Sequence, residues 1–337
     1  MAIQVIATGR YIPSKLVTND ELSKTIETND EWIRSHTGIG ARHFAAEDEA
    51  TSDLAVKAAL SAFESLSPGH PEEVAKTIDL VVLTSSTPDY YSCPATACIV
   101  QEKLGIPNAG AFDVLAACTG FITALECAEG MLLASGRKRA LVIGSDCLTR
   151  ITNWEDRATC VLFGDAAGAV ILEKTDAPAT GEGRRGIIRS ILRSNGSGAE
   201  ALIMRRGGSR SPWKKGEVVQ AGNYLEMDGH AVYNFAVKAI TDIMQKLLEE
   251  EGLTMDDVKK IIPHQANMRI VQAAAKRLKI DESKFFLNME KYANTSTATI
   301  PVALDEYARS GDLKKGDLIM TVGFGGGLTS GGNLIIW

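Results

Sequence analysis

The chain has 337 residues, 45% of them hydrophobic and 23% charged, enough for one large α/β domain or two ordinary ones that need neither disulfides nor metals. That composition excludes intrinsic disorder, coiled coil and collagen-like repeats. Its 36 Lys and Arg against 42 Asp and Glu leave a net charge of −6, which excludes a nucleic-acid partner and a polybasic membrane anchor.

The opening MAIQVIATGR lacks a basic stretch followed by a long apolar one, and no segment approaches 18 uninterrupted apolar residues. The sequence therefore predicts a cytoplasmic protein without a membrane segment. Strands are predicted at 80–83, 111–117, 140–143 and 167–172, then at 261–262, 285–287, 318–322 and 333–337. Among them lie amphipathic stretches such as Val232, Phe235, Ala239, Ile243 and Leu247, ending at Gly252. Strands this short and apolar suit sheets covered by helices on both faces, a layered α/β architecture. In each half an apolar strand leads into a polar turn (LVVLTSST, KKIIPHQAN) and two further strands close the half, a weak duplication. The seam falls after Leu172, in EKTDAPATGEG, dividing the chain into 1–178 and 179–337. Within it GEGRRG matches a dinucleotide fingerprint, but no strand runs directly into it and no helix follows, so it is set aside.

All six cysteines (Cys93, Cys98, Cys118, Cys127, Cys147, Cys160) fall within 68 positions, with no CxxC among them. This pattern suits reduced thiols better than a disulfide framework, and with five scattered histidines it predicts no metal site. For most of these cysteines the simplest role is a small buried hydrophobe.

Cys118 differs by position. GAFDVLAAC reads as a buried strand ending at the thiol, and the next residues place Phe121, Leu125, Ala128 and Leu132 on one helical face. A thiol at a helix N-terminus meets the positive end of the dipole, which lowers its pKa, and backbone N–H groups able to receive an oxyanion. Cys118 is thus a candidate nucleophile, with a core cysteine as the alternative. His264 follows an apolar run and a proline, where a structural histidine is the ordinary reading. Asn294 lies in YANTSTATIP, which also reads as a turn or helix cap. GFGGGLTSGG lets backbone approach a ligand closely or forms a strained hairpin. The order Cys, His, Asn, separated by 146 and 30 residues, also fits the spacing of papain-like cysteine peptidases, though their C-G-[SA]-C-[WY] context is missing.

Taken together, DEWIRSHTGI (30–39), DVLAACTGF (113–121), PHQANMRI (263–270), NTSTATIPVALDE (294–306) and GFGGGLTSGG (323–332) resemble β-ketoacyl-acyl-carrier-protein synthase III, end to end. This is the initiating condensing enzyme of bacterial type II fatty acid synthesis. The resemblance implies the thiolase fold, two similar βαβαβαββ halves packed as an αβαβα sandwich, in a homodimer without bound cofactor or metal. It implies that Cys118 takes a starter acyl group from acyl-CoA, and that His264 and Asn294 then act on malonyl-acyl-carrier protein in a decarboxylative Claisen condensation. Two neutral donors, an imidazole N–H and a carboxamide N–H, suit an enolate oxygen, which an Asp at 294 would repel. Phe324 becomes an apolar wall for the departing carboxylate, and the amides of Cys118 and Gly326 the oxyanion hole. Trp32 and Arg157 correspond to the adenine platform for coenzyme A, Asn267 to a pantetheine contact, and Arg269 to the basic residue where the carrier protein docks.

Two positions depart from the pattern. His36 stands where family members commonly carry Arg, near the coenzyme A phosphates, which opens the way to a donor other than acetyl-CoA. Cys93, in DYYSCP, replaces a bulky residue of the segment that closes the acyl pocket, partly from the other subunit, and so favours longer or branched starters. The same fold also serves specialised acyltransferases and thioesterases of secondary metabolism. Finally, Arg184 to Lys215 holds nine basic residues against Glu200 alone, a net of +8, predicting a local field that steers an acidic carrier protein to the tunnel mouth.

Overall fold

In the computed structural model, residues 1–178, 180–214, 216 and 223–337 are described. Ala179, at the expected seam, and Lys215, in the basic run, lie outside them.

Two sheets carry the fold. The first uses β1 (Ala2–Tyr11), β2 (Leu80–Thr84), β3 (Gly110–Val114), β4 (Arg139–Cys147) and β5 (Asp165–Thr175), in the order β1-β5-β4-β2-β3. The second uses β6 (Gly186–Ser194), β7 (Val258–Pro263), β8 (Leu318–Gly325) and β9 (Thr329–Ile336), in the order β6-β9-β8-β7. Beyond β7 a single parallel bridge joins Ile261 to Phe285, standing where β3 stands in the first sheet. Pairing directions match as well: β2 runs parallel to β4 as β7 does to β8, and the closing hairpins β4-β5 and β8-β9 are antiparallel. The weak duplication in the sequence is therefore a duplicated topology.

Four expectations need correction. β1 and β6 are strands that the sequence did not announce, because Gln4, Thr8, Arg10, Arg189 and Arg193 interrupt their apolar residues. Phe285–Leu287 forms one bridge rather than a strand. The strand before Cys118 ends at Val114, and 115–116 is connecting backbone before the turn that carries the thiol. Of the five other cysteines only Cys147 and Cys160 are buried; all six are free thiols. The discarded GEGRRG proves to be a turn, with Gly181, Gly183 and Gly186 all at positive φ and Gly186 opening β6.

Helices fill three layers. α1 (Asp30–Thr37) lies at one end, α2 (Thr51–Leu66) and α3 (Thr96–Lys103) cover the outer face of the first sheet, and α4 (Gly120–Leu133) lies between the sheets. α5 (Gly229–Glu251) and α6 (Met268–Leu278) cover the outer face of the second sheet, and α7 (Thr299–Arg309) joins α4 in the middle layer. There Phe121, Leu125 and Leu132 of α4 meet Ile300 and Leu304 of α7, between Val82 and Val142 of one sheet and Ile319 and Ile335 of the other. α5 starts at an Asp228 cap, which accepts from the amides of His230 and Ala231, and ends at Gly252, φ +63.

The middle layer positions the site, because α4 and α7 both begin at a tight turn facing the other half. Those turns, 117–119 and 296–298, pack against strand backbones with no room for a side chain. A Cβ on Gly144 of β4 would lie 2.3 Å from the Thr297 carbonyl oxygen. Gly144→Ala is therefore expected to destabilise the fold by about 1–3 kcal/mol, read from denaturant unfolding. An unchanged midpoint would contradict this contact.

Candidate active site

Cys118 sits on the single turn Ala117–Thr119 that leads into α4. Ala117 is held at φ +45, an unfavourable left-handed conformation for a residue with a Cβ, which turns Cys118 toward the cavity. Its Sγ lies 3.5 Å from the Ser296 hydroxyl. The expectation of a lowered thiol pKa is overturned. Burial pushes the thiol up to about 11, the Ser296 hydrogen bond opposes this, and the Asp146 carboxylate adds to it. At rest Cys118 is a thiol. Iodoacetamide labelling of Cys118 is thus expected to accelerate about tenfold per pH unit from 7 to 9 without a plateau. A plateau below pH 8 would restore the helix-terminus reading.

His264 follows β7 and is 2% exposed. Its backbone N–H donates to the Val322 carbonyl at 2.8 Å, and its Nδ1 lies 2.7 Å from the Thr299 hydroxyl. Burial lowers its pKa to about 3, so the ring is neutral in ordinary buffers. Phe324 meets it edge-on, with ring centroids 5.4 Å apart. Asn294 accepts the Ser296 N–H on Oδ1 at 2.9 Å, so the group it offers to the cavity is its NH₂. Gly325 lies where a Cβ would come within 2.8 Å of the Cys118 nitrogen, and Gly327 adopts φ +117. The glycine run is both hairpin and close approach: it connects β8 to β9 while laying the Gly325 backbone against Cys118 and Gly326 beside Ala117.

Cys118, His264, Asn294, Phe324 and Gly326 all line one cavity of about 830 Å³. One wall is apolar, built from Leu148, Ile151, Phe163, Leu202, Met204 and Leu225. A half-buried thiol sharing a largely apolar cavity with two neutral hydrogen-bonding groups suits acyl transfer.

Residues 112–196 match the family described as 3-Oxoacyl-[acyl-carrier-protein (ACP)] synthase III, and residues 248–337 its C-terminal counterpart. The chain is 46% identical over 336 residues to β-ketoacyl-[acyl-carrier-protein] synthase III of Clostridium acetobutylicum, covering 100% of this chain and 99% of that one. A crystal structure of 3-oxoacyl-[acyl-carrier-protein] synthase III from Aquifex aeolicus VF5 superimposes with a TM-score of 0.87 at 38% identity, covering both chains fully. A β-ketoacyl-[acyl-carrier-protein] synthase III from Thermus thermophilus gives 0.88 at 37% identity, over 99% of each chain.

The chain belongs to the β-ketoacyl-[acyl-carrier-protein] synthase III family. It is an acyltransferase, a condensing enzyme of fatty acid synthesis with the thiolase fold. The peptidase spacing is thereby explained away.

At the cavity mouth the family's expected residues are present but already engaged. Arg157 lies 4.7 Å from the Trp32 ring centroid and donates to the Glu27 carbonyl, while His36 stacks on Trp32 at 4.4 Å. Trp32 and Arg157 are in direct contact, with no gap for a base between them. Asn267 caps α6 by accepting the Arg269 N–H, and its Nδ2 donates to the His36 carbonyl, which leaves one amide hydrogen for a ligand. Arg269 is exposed at the rim and donates to the Ser35 carbonyl. Cys93 is exposed and is not part of this chain's cavity. The basic run is also tamed: Arg184 and Arg189 pair with Glu251, Arg205 with Glu200 and Glu226, and none of its described residues lines the cavity.

Sequence reasoning missed Ser86, Asp146, Ser296 and Thr299. The hydroxyl-rich runs TSST and NTSTAT were the available signal, as was an acid ending the apolar run ALVIGSD.

Proposed function

We propose that the chain moves a starter acyl group from an acyl-CoA to Cys118 and then condenses it with malonyl-acyl-carrier protein, releasing CO₂ and a 3-ketoacyl product. The carrying observation is the convergence of Cys118, His264 and the NH₂ of Asn294 on one apolar cavity. In the first half-reaction Cys118 Sγ attacks the thioester carbonyl. The amides of Cys118 and Gly326 receive the oxyanion, and collapse expels coenzyme A, which leaves as the thiol with the proton Cys118 gave up. In the second, malonyl loses CO₂ and its thioester becomes an enolate. That enolate's carbon attacks the acyl-cysteine carbonyl, and Cys118 departs as thiolate and is reprotonated.

Asn294 donates to the enolate oxygen, and His264 does so through its remaining ring nitrogen. That role fixes one proton: Thr299 has a single hydroxyl hydrogen and two acceptors, His264 Nδ1 at 2.7 Å and the Ser296 carbonyl at 3.0 Å. Donated to Nδ1, it leaves the ring N–H on Nε2. Phe324 gives the carboxylate an apolar face that favours neutral CO₂. No step needs a metal or a resident cofactor.

Two further parts belong to this reading. The halves divide at 178/179, in keeping with the two sheets. The working form is a homodimer in the cytoplasm: β3 is an edge strand paired only with β2, and Leu115, directly after it, is 83% exposed, as Tyr90 and Tyr91 are exposed in the Cys93 segment. A second copy at that edge would bring its Cys93 segment toward the cavity. No helix among the described residues is long and apolar enough to cross a membrane. Arg269 at the rim is the docking residue for the acidic carrier protein.

Intact-mass detection of acyl-Cys118 over acyl-CoAs of increasing length and branching tests this function and reads starter choice. The apolar wall predicts stable adducts beyond acetyl. Absence of any adduct would overturn the reading, and product formation from malonyl-CoA in place of malonyl-acyl-carrier protein would favour a specialised relative.

A further inference from the structure

We propose that Asp146 is a positioning residue of the active site: from the end of β4 its buried carboxylate holds loop 85–87 and turn 294–298, one from each half, in place around Cys118. This rests on Cys118 being the nucleophile. Asp146 is fully buried and is met by six uncharged donors. Oδ1 accepts from the Ser85 hydroxyl at 3.0 Å, the Ser86 amide at 2.7 Å, and the Thr87 amide and hydroxyl at 3.1 and 3.0 Å. Oδ2 accepts from the Thr297 amide at 3.0 Å and its hydroxyl at 2.7 Å. A carboxylate offers about four lone-pair sites, so both oxygens are saturated.

The segments so held touch the nucleophile. Ser86 Oγ lies 3.2 Å from Ser296 Oγ, which lies 3.5 Å from Cys118 Sγ, and the Ser296 amide fixes Asn294. Ser296 stands at φ +49 and Ala117 at φ +45, both strained for residues with a Cβ. Strain of this kind persists only where the surroundings over-determine it. The donors around Asp146 do so for Ser296, whose neighbour Thr297 is bound through both its amide and its hydroxyl. None of those donors is charged, so burial raises the pKa of Asp146 itself while the six hydrogen bonds hold it down, and its carboxylate in turn adds to the rise that burial causes at the Cys118 thiol.

Thr297→Val removes one donor and keeps the charge, Thr297→Ser keeps both, and Asp146→Asn keeps the shape without the charge. Condensation kcat is expected to fall at least about tenfold in Thr297→Val, with KM for acyl-CoA within about twofold, and to return in Thr297→Ser. Iodoacetamide labelling of Cys118 at pH 8 is expected to speed up severalfold in Asp146→Asn and to stay unchanged in Thr297→Val, because removing a like charge favours the thiolate. Equal acceleration in both variants would mean loosened packing and overturn the proposal, as would a Thr297→Val condensation rate within twofold of the unaltered chain. If Asp146→Asn does not fold, the Thr297 pair decides alone. Failure of the unaltered chain to form acyl-Cys118 would instead strike the proposed function.

Discussion

Cys118→Ala is expected to abolish the acyl-enzyme adduct in intact-mass spectra and to lower turnover by at least about 10⁴-fold, with unfolding free energy within about 1 kcal/mol of the unaltered chain. The side chain faces the cavity rather than packing in the core, so its removal leaves no new buried void. Cys118→Ser is expected to be nearly as inactive. Sγ has the Ser296 hydroxyl as its hydrogen-bond partner, and a hydroxyl is no base. A serine there, with an intrinsic pKa far above that of a thiol, has nothing to take its proton. An adduct that survives in either variant would place the nucleophile elsewhere.

His264→Ala and Asn294→Ala are expected to separate the half-reactions. Both should still release coenzyme A in a single burst and accumulate acyl-Cys118, while product formation falls about 10²–10³-fold, the usual worth of one oxyanion donor. Asn294→Asp should be at least as poor as the alanine variant, since its carboxylate faces a malonyl carboxylate and a forming enolate. Equal loss of both half-reactions would contradict this division. His264 also carries a stability signature. Its folded pKa, about 3, lies below its unfolded value, so the unfolded chain binds the proton first. The cost is absent above about pH 6.5 and grows as pH falls toward 3, and His264→Ala should flatten that acid limb of the stability profile.

The fold was legible where burial is symmetric. Leu80–Thr84, the centre of β4 and Leu318–Val322 are apolar at nearly every position because both faces are covered, and such runs announce themselves. β1 and β6 do not, since their half-buried or exposed positions carry Gln4, Arg10, Arg189 and Arg193, and their pairing with β5 and β9 is what makes them strands. Helix caps were local and thus readable, as at Gly252. The basic run was readable as charge but not as field, because Glu250 and Glu251, far along the chain, pair with Arg184 and Arg189.

The sequence by itself determined the layered α/β class, the duplicated order of elements, the position of Cys118 at a strand-to-helix elbow and, through its motifs, the family. Spacing alone left Cys118, His264 and Asn294 equally open to a peptidase. Only the tertiary structure decided what those residues are chemically. The elbow predicted a low thiol pKa, because a helix terminus is local; burial and the Asp146 charge, contributed by residues distant in sequence, raised it instead. The same holds for the neutral His264 and for the Asn294 amide turned by Ser296. Protonation and donor direction depend on which atoms surround a group in space, and the order of residues along the chain does not contain that information until the chain has folded.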